Sequence, residues 1–174
     1  MRPAIGLYGG TFDPVHHAHL RLAVEVREAL ALAELRFVPC HVPALRAAPG
    51  AGADDRRTML ELAIRGEPGL AVDDRELRRA GPSYTVDTLA ELRAELGPGV
   101  PLVWLLGADA WAQLPRWRDW RRLTEHAHLA ILARPGSAAP AEPDDPVLAG
   151  FLAAHRAGPD CLRARAAGGI WFQP

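Results

Sequence analysis

Between Gly9 and Leu20 the chain reads Gly-Gly-Thr-Phe-Asp-Pro-Val-His-His-Ala-His-Leu, a set of residue types suited to holding an anion. Gly9 and Gly10 allow backbone N–H groups to approach a negatively charged group closely. Thr11 adds a hydroxyl donor, and Asp13-Pro14 sets a turn ahead of a helix. His16 and His19 are three positions apart, so at a helix start they share one face. Paired imidazoles at the positive end of a helix dipole form a phosphate site that needs no lysine. Two other readings of the same residues stay open on chemistry alone. One is a glycine turn with inert surface histidines. The other is a metal held by His16, His17 and His19, although no carboxylate or cysteine cluster nearby supplies further ligands.

The absence of lysine sharpens the first reading. All 20 basic side chains are arginines. A Walker-type phosphate loop needs its lysine, so that class is excluded. The 20 basic residues face 21 acidic ones, for a net charge of -1, and no broad basic field for gripping nucleic acid is expected. At 49% hydrophobic and 24% charged, the 174 residues are globular in composition and fit one domain spanning 1–174. Two cysteines, Cys40 and Cys161, make no disulfide framework, and a reducing compartment is expected. The first residues are too short and broken for a signal peptide, and no apolar run reaches the roughly 18 residues of a membrane span. The expectation is a cytoplasmic protein without membrane or nucleic-acid partners.

The elements that must position these residues alternate. Apolar runs at 4–8, 35–39, 70–73, 101–107, 129–133 and 170–173 read as strands. The 101–107 run is continuous, as in a central parallel strand. Helical spacing covers 17–32 with Leu20, Val24 and Leu30 on one face, 54–65 with Asp54 or Asp55 as cap and Met59, Leu62 and Ala63 inward, 85–96 and 147–156. Short helices are expected from Ala110 and over 117–125. The stretch 41–52 reads as a loop, and 136–146 as an exposed Pro/Ala/Asp loop. This alternation predicts an α/β fold: a Rossmann-like, doubly wound parallel sheet with helices on both faces. Ligands then bind beyond the carboxyl ends of the strands, where strand order reverses. That rule selects the residues after each strand: 9–19, 39–46, 73–85, 107–117 and Arg134.

The first of these stretches resembles the GGTFDPxHxGH signature of bacterial nicotinate-nucleotide adenylyltransferases, in the HxGH nucleotidyltransferase superfamily. The resemblance continues in order along the whole chain: Arg57 to Ala63, Asp74 to Arg79, Pro82-Ser83-Tyr84-Thr85, Gly107 with Asp109, Pro115 with Trp117, Ala127-His128-Leu129 and Arg134-Pro135-Gly136. It implies transfer of the adenylyl group of ATP to nicotinate mononucleotide. The products are nicotinate adenine dinucleotide and pyrophosphate, in NAD biosynthesis. Mg2+ accompanies the ATP phosphates, and no covalent enzyme intermediate forms. His16 and His19 are the implied catalytic pair. ATP is implied to lie against Gly9, Gly10, Thr11, Phe12, Asp13, His16, His19, Gly107, Asp109 and Arg134. The mononucleotide is implied to lie against Cys40, Arg46, Tyr84, Thr85, Asp109 and Trp117, the last stacking on the nicotinate ring. Each has a plainer reading: Arg134 on the surface, Trp117 in a core with Trp111 and Trp120, Asp109 as a helix cap, Tyr84 and Thr85 as capping residues.

Four departures from the family pattern bear on these expectations. Ala18 replaces the glycine between the two histidines, the smallest change available. Cys40 and Leu45 replace polar residues in the loop after the second strand, while Arg46 keeps a charge and His41 stands nearby. Arg118 follows Trp117 where the family often has an aromatic residue. Finally, the family carries an ISSTxxR-type segment after its last strand, and this sequence reaches Pro174 about where that strand lies. Loss of one cationic donor from such a clamp costs about 2–4 kcal/mol in the transition state. The expectation is a weakly active, poorly soluble form, or a remnant that binds nucleotides without catalysis. A related adenylyltransferase with another acceptor, such as phosphopantetheine, is the remaining alternative.

Overall fold

The computed structural model describes residues 3–45, 47–133 and 143–173. Six strands form one parallel sheet: β1 (Ile5–Gly10), β2 (Glu34–Pro39), β4 (Leu70–Val72), β6 (Leu102–Gly107), β7 (His128–Leu132) and β8 (Ile170–Phe172). Their spatial order is β4-β2-β1-β6-β7-β8. The order reverses between β1 and β6, which pair in parallel register from Ile5 opposite Leu102 to Tyr8 opposite Leu105. Gly9–Gly10 and Gly107 therefore flank the crevice at the switch point.

The helices are α1 (His17–Ala29), α2 (Ala53–Ala63), α3 (Thr85–Leu96), α4 (Ala108–Ala112), α5 (Leu123–His126), α6 (Pro146–His155) and α7 (Pro159–Ala164). They cover both faces of the sheet, as expected. Alternation along β6 shows why. Leu102, Trp104 and Leu106 enter one core with Leu89, Leu92, Leu123, Leu148 and Leu152. Val103 and Leu105 enter the other with Ala23, Val26, Leu30, Leu60 and Leu162. Each strand is buried on both sides, so it reads as an unbroken apolar run rather than an alternating one.

Several boundaries and faces differ from the sequence reading. β1 runs on through Gly9 and Gly10 instead of ending before them. Helix α1 buries Ala23, Val26 and, just beyond its end, Leu30, not the Leu20–Val24 line. Helix α2 is capped by Gly52 with no side-chain bond, not by Asp54 or Asp55. Its inward residues are Arg56, Leu60 and Ile64, whereas Leu62 is 54% exposed. Region 117–125 is broken into the 3-10 turn Trp120–Arg122 and the single turn of α5. Helix α7 has no counterpart in the sequence reading. Nor does a two-stranded pair inside the predicted loop, β3 (Val42–Pro43) with β5 (Pro82–Ser83). The loop expected at 136–146 falls mostly outside the described residues.

Candidate active site

The crevice at the switch point opens into a cavity of about 650 Å³. Its walls include Gly9, Gly10, Thr11, Cys40, Tyr84, Thr85, Gly107, Asp109 and Trp117, which gathers loops following β1, β2 and β6 with the start of α3. Trp104, Leu105 and Leu106 contribute an apolar floor. Gly9 is glycine for a packing reason as well as an electrostatic one: a Cβ there would overlap the Trp104 indole. A Cβ at Gly10 would stand 2.9 Å from the Phe12 ring.

His16 and His19 lie at the start of α1 and are not among the residues lining this cavity. Their rings stack with centroids 3.8 Å apart and an interplanar angle of 29°. His16 is the N-cap of α1 in extended conformation, and its backbone N–H donates to His19 Nδ1 at 3.3 Å. That bond places the ring proton of His19 on Nε2. Partial burial and the neighbouring His16 lower the His19 pKa to about 4, so the ring is neutral at pH 7. His19 is held edge-on by Phe12, 5.1 Å away, and by Tyr8 at 5.9 Å. Phe12 itself is buried at φ +50° and wedged against Phe37. A bulky residue held in the left-handed region fixes the direction in which the chain leaves β1. Asp13 turns toward the loop before α2, accepting from Gly50 N–H at 2.7 Å and Ala51 N–H at 3.3 Å.

On the cavity side, Tyr84 caps α3 and Thr85 is its first residue, so the leading N–H groups have no partner within the helix. Gly107, not Asp109, occupies the cap position of α4, and Asp109 is exposed in its first turn. Trp117 is half-buried on the cavity wall, whereas Trp111 and Trp120 are core residues. Cys40 Sγ lies 3.7 Å from Thr11 Oγ1, and burial raises its pKa. Arg46 and Arg134 lie outside the described residues.

Two buried charged groups escaped the sequence reading as site residues. Arg56 is 1% exposed and donates to four backbone carbonyls: Thr11 and Cys40 at 2.8 Å each, His41 at 3.2 Å and Ala51 at 3.3 Å. It therefore joins the loops after β1 and β2 to the loop before α2. Glu76 lines the cavity, buried, and accepts from Thr88 Oγ1 at 2.6 Å. Burial raises its pKa above the usual glutamate range. No group of three or more His, Cys, Asp or Glu side chains able to hold a metal ion occurs among the described residues.

Comparison with known proteins converges on one family. Residues 7–159 match the cytidylyltransferase-like family model. A nicotinate-nucleotide adenylyltransferase of Cellvibrio japonicus is 50% identical over 170 residues, covering 98% of this chain and 79% of the relative. That of Halorhodospira halophila is 55% identical over 132 residues, covering 76% of this chain and 60% of the relative. Among solved structures, a nicotinic acid mononucleotide adenylyltransferase of Plasmodium falciparum complexed with NaAD superposes with a TM-score of 0.68. It has 21% identity and covers 78% of this chain and 66% of that one, a likeness of fold. By sequence, the chain belongs to the nicotinate-nucleotide adenylyltransferase family, within the cytidylyltransferase-like proteins.

Proposed function

We propose that the protein transfers the adenylyl group of ATP to nicotinate mononucleotide, forming nicotinate adenine dinucleotide and pyrophosphate. A 5'-phosphate oxygen of the mononucleotide attacks the α-phosphorus in line. The bond from that phosphorus to the bridging oxygen breaks, and pyrophosphate leaves with the electron pair. The protein's contribution is position and charge stabilisation rather than covalent chemistry.

The observation that carries the reading is the stacked His16–His19 pair at the start of α1, the helix that follows Gly9 and Gly10 at the end of β1, which wall the cavity. In this reading the α-phosphorus lies between the two halves of the site. His19 Nε2–H and the His16 ring serve the ATP phosphates, together with N–H groups from Gly9 to Phe12. The mononucleotide occupies the cavity, with its ring on Trp117, its carboxylate toward the start of α3 and a ribose hydroxyl at Asp109. Cys40 and Arg46 border its phosphate in this reading, and Arg134 adds charge on the ATP side. Mg2+ is read as arriving with the ATP phosphates, where it neutralises their charge. The two free cysteines agree with a cytoplasmic location, and among the described residues no helix is long and apolar enough to cross a membrane.

Pyrophosphate release from ATP with nicotinate mononucleotide tests the proposal. His16→Ala and His19→Ala should each lower kcat by about 100-fold or more, as loss of a transition-state donor does. ATP binding without pyrophosphate release over hours would identify a non-catalytic nucleotide-binding protein instead. Turnover with phosphopantetheine alone would reassign the acceptor.

A further inference from the structure

We propose that Glu76 is a positioning residue for the acceptor half of the site: its buried carboxyl fastens the loop after β2 and the start of α3 into one cavity wall, apart from the half that holds ATP. The inference rests on the proposed function and names the group that shapes its acceptor side. Glu76 sits in the turn after β4, lines the cavity and is 4% exposed. Thr88 of α3, fully buried, donates its hydroxyl to Glu76 Oε1 at 2.6 Å. Arg79 Nη1 donates to Thr88 Oγ1 at 3.2 Å, which leaves the Thr88 proton for Glu76. The Ser83 hydroxyl is hydrogen-bonded to the same carboxyl and accepts from His41 N–H at 3.1 Å. Through these bonds the turn after β4 holds α3 directly and, by way of Ser83, the loop after β2.

The wall needs such a fastening. Strands β3 and β5 pair only Val42 with Pro82 and Pro43 with Ser83. A two-stranded ribbon is marginal by itself, and each proline removes an N–H donor from the ladder. Val42 is 36% exposed, so the pair has little core of its own. Tyr84, the cap residue of α3, makes no side-chain bond to its helix, and Thr88 secures that end instead. Pro43, Ser83, Tyr84 and Thr85 face the cavity from this wall. Different groups hold the ATP side: Phe12 and Tyr8 pack against His19, and Asp13 accepts from Gly50 and Ala51. A carboxyl suits the hub because it accepts both hydroxyls at once, and without it two buried donors lose their acceptor.

The test measures KM for nicotinate mononucleotide and for ATP separately in the wild type, Glu76→Ala, Glu76→Gln and Ser83→Ala. Glu76→Ala should raise KM for the mononucleotide about tenfold, the scale of a lost hydrogen bond in a buried network. Glu76→Gln keeps one acceptor oxygen, so it should recover part of that loss and show a rise of about threefold. Ser83→Ala cuts only the link to His41 and should also raise it about threefold. KM for ATP should stay within about twofold in all of them, which a general loss of stability would not produce. Equal changes in both KM values, or an unchanged mononucleotide KM, overturn the proposal, as does Glu76→Gln more impaired than Glu76→Ala. Should Glu76→Ala fail to fold, Glu76→Gln and Ser83→Ala decide by the same split. If the wild type releases no pyrophosphate, the functional reading fails, and Glu76 is judged by calorimetry with each nucleotide alone. Weaker mononucleotide binding with unchanged ATP binding in Glu76→Gln then supports its role. Parallel losses, no loss, or a wild type that does not bind the mononucleotide overturn it.

Discussion

His19 is a neutral donor rather than a standing cation. Its Nδ1 is occupied by the His16 N–H, and burial and His16 hold its pKa near 4. A polyphosphate placed against Nε2 favours the charged ring and raises that pKa. From about pH 4 up to the raised value, the ATP complex then binds more protons than the free protein. ATP binding should therefore take up protons above about pH 4, and affinity should rise as pH falls through that range. Calorimetry in buffers of different ionisation heat measures the uptake, and His19→Asn should remove this protein's share of it. An unchanged uptake in His19→Asn would place the ring away from the phosphates. The pair was legible in the sequence because three-residue spacing at a helix start has few geometric outcomes. Its neutrality was not, since that depends on Tyr8 and Phe12 closing over the ring. Glu76 was invisible as a cavity residue for a similar reason: only the fold brings its carboxyl between Thr88 and the cavity.

Helix α2 shows what patterning misses among elements. Apolar periodicity selected Met59, Leu62 and Ala63 for its inner face, yet the helix turns Arg56 inward with Leu60 and Ile64. A scale that ranks arginine as polar cannot see a guanidinium whose donors are taken up by four carbonyls. Arg56 acts as a clasp: it fixes the loop carrying Thr11 relative to the loop carrying Cys40, and both line the cavity. Asp13 makes the complementary connection through Gly50 and Ala51. Replacing Arg56 with Met leaves buried carbonyls unpaired and should cost about 2–4 kcal/mol in urea unfolding. In the folded fraction, KM for both substrates should rise together as the two loops lose register. Arg56→Lys keeps the charge but not the fork, and should fall between wild type and Arg56→Met in both measurements. A Met variant as stable as wild type would refute the clasp. The strands, by contrast, were largely legible: both faces are buried, so unbroken apolar runs mark them with little ambiguity. The β3–β5 pair was not, because two residues carry no period.

For the molecule as a whole, the sheet order creates the site and buried histidines set the pH range over which it persists. His128 in β7 is fully buried. Its Nδ1 accepts from Gly169 N–H at 2.8 Å, and its Nε2–H is directed at Arg165 O, also 2.8 Å away. It thereby joins β7 to the loop that leads into β8. Arg93 ties the same loop to the connection between α3 and β6, donating to Ala166 O at 3.0 Å in the one and to Val100 O at 2.7 Å in the other. Burial lowers the pKa of His128, and burial likewise lowers that of His126 and His19. In each case the unfolded chain, with pKa about 6.5, binds a proton more readily than the folded one. Stability is then complete above that value and declines as pH falls below it. Glu76 works in the other direction: its raised folded pKa means the native state binds the extra proton, so acidification through that range stabilises it. Asp73, lowered by its Arg75 and Arg36 neighbours against the pull of burial, has its effect at lower pH. The three lowered histidines act together against the one carboxyl, and unfolding free energy should drop as pH falls below about 6.5, with the fully buried His128 contributing most. His128→Leu should lower stability at pH 7, because Gly169 loses its acceptor, yet flatten the slope below pH 6.5. Glu76→Gln should steepen it. Urea midpoints at pH 7 and pH 5 for the three proteins decide the matter. A slope unchanged in His128→Leu would mean that this buried ring does not govern the acid limit of the fold.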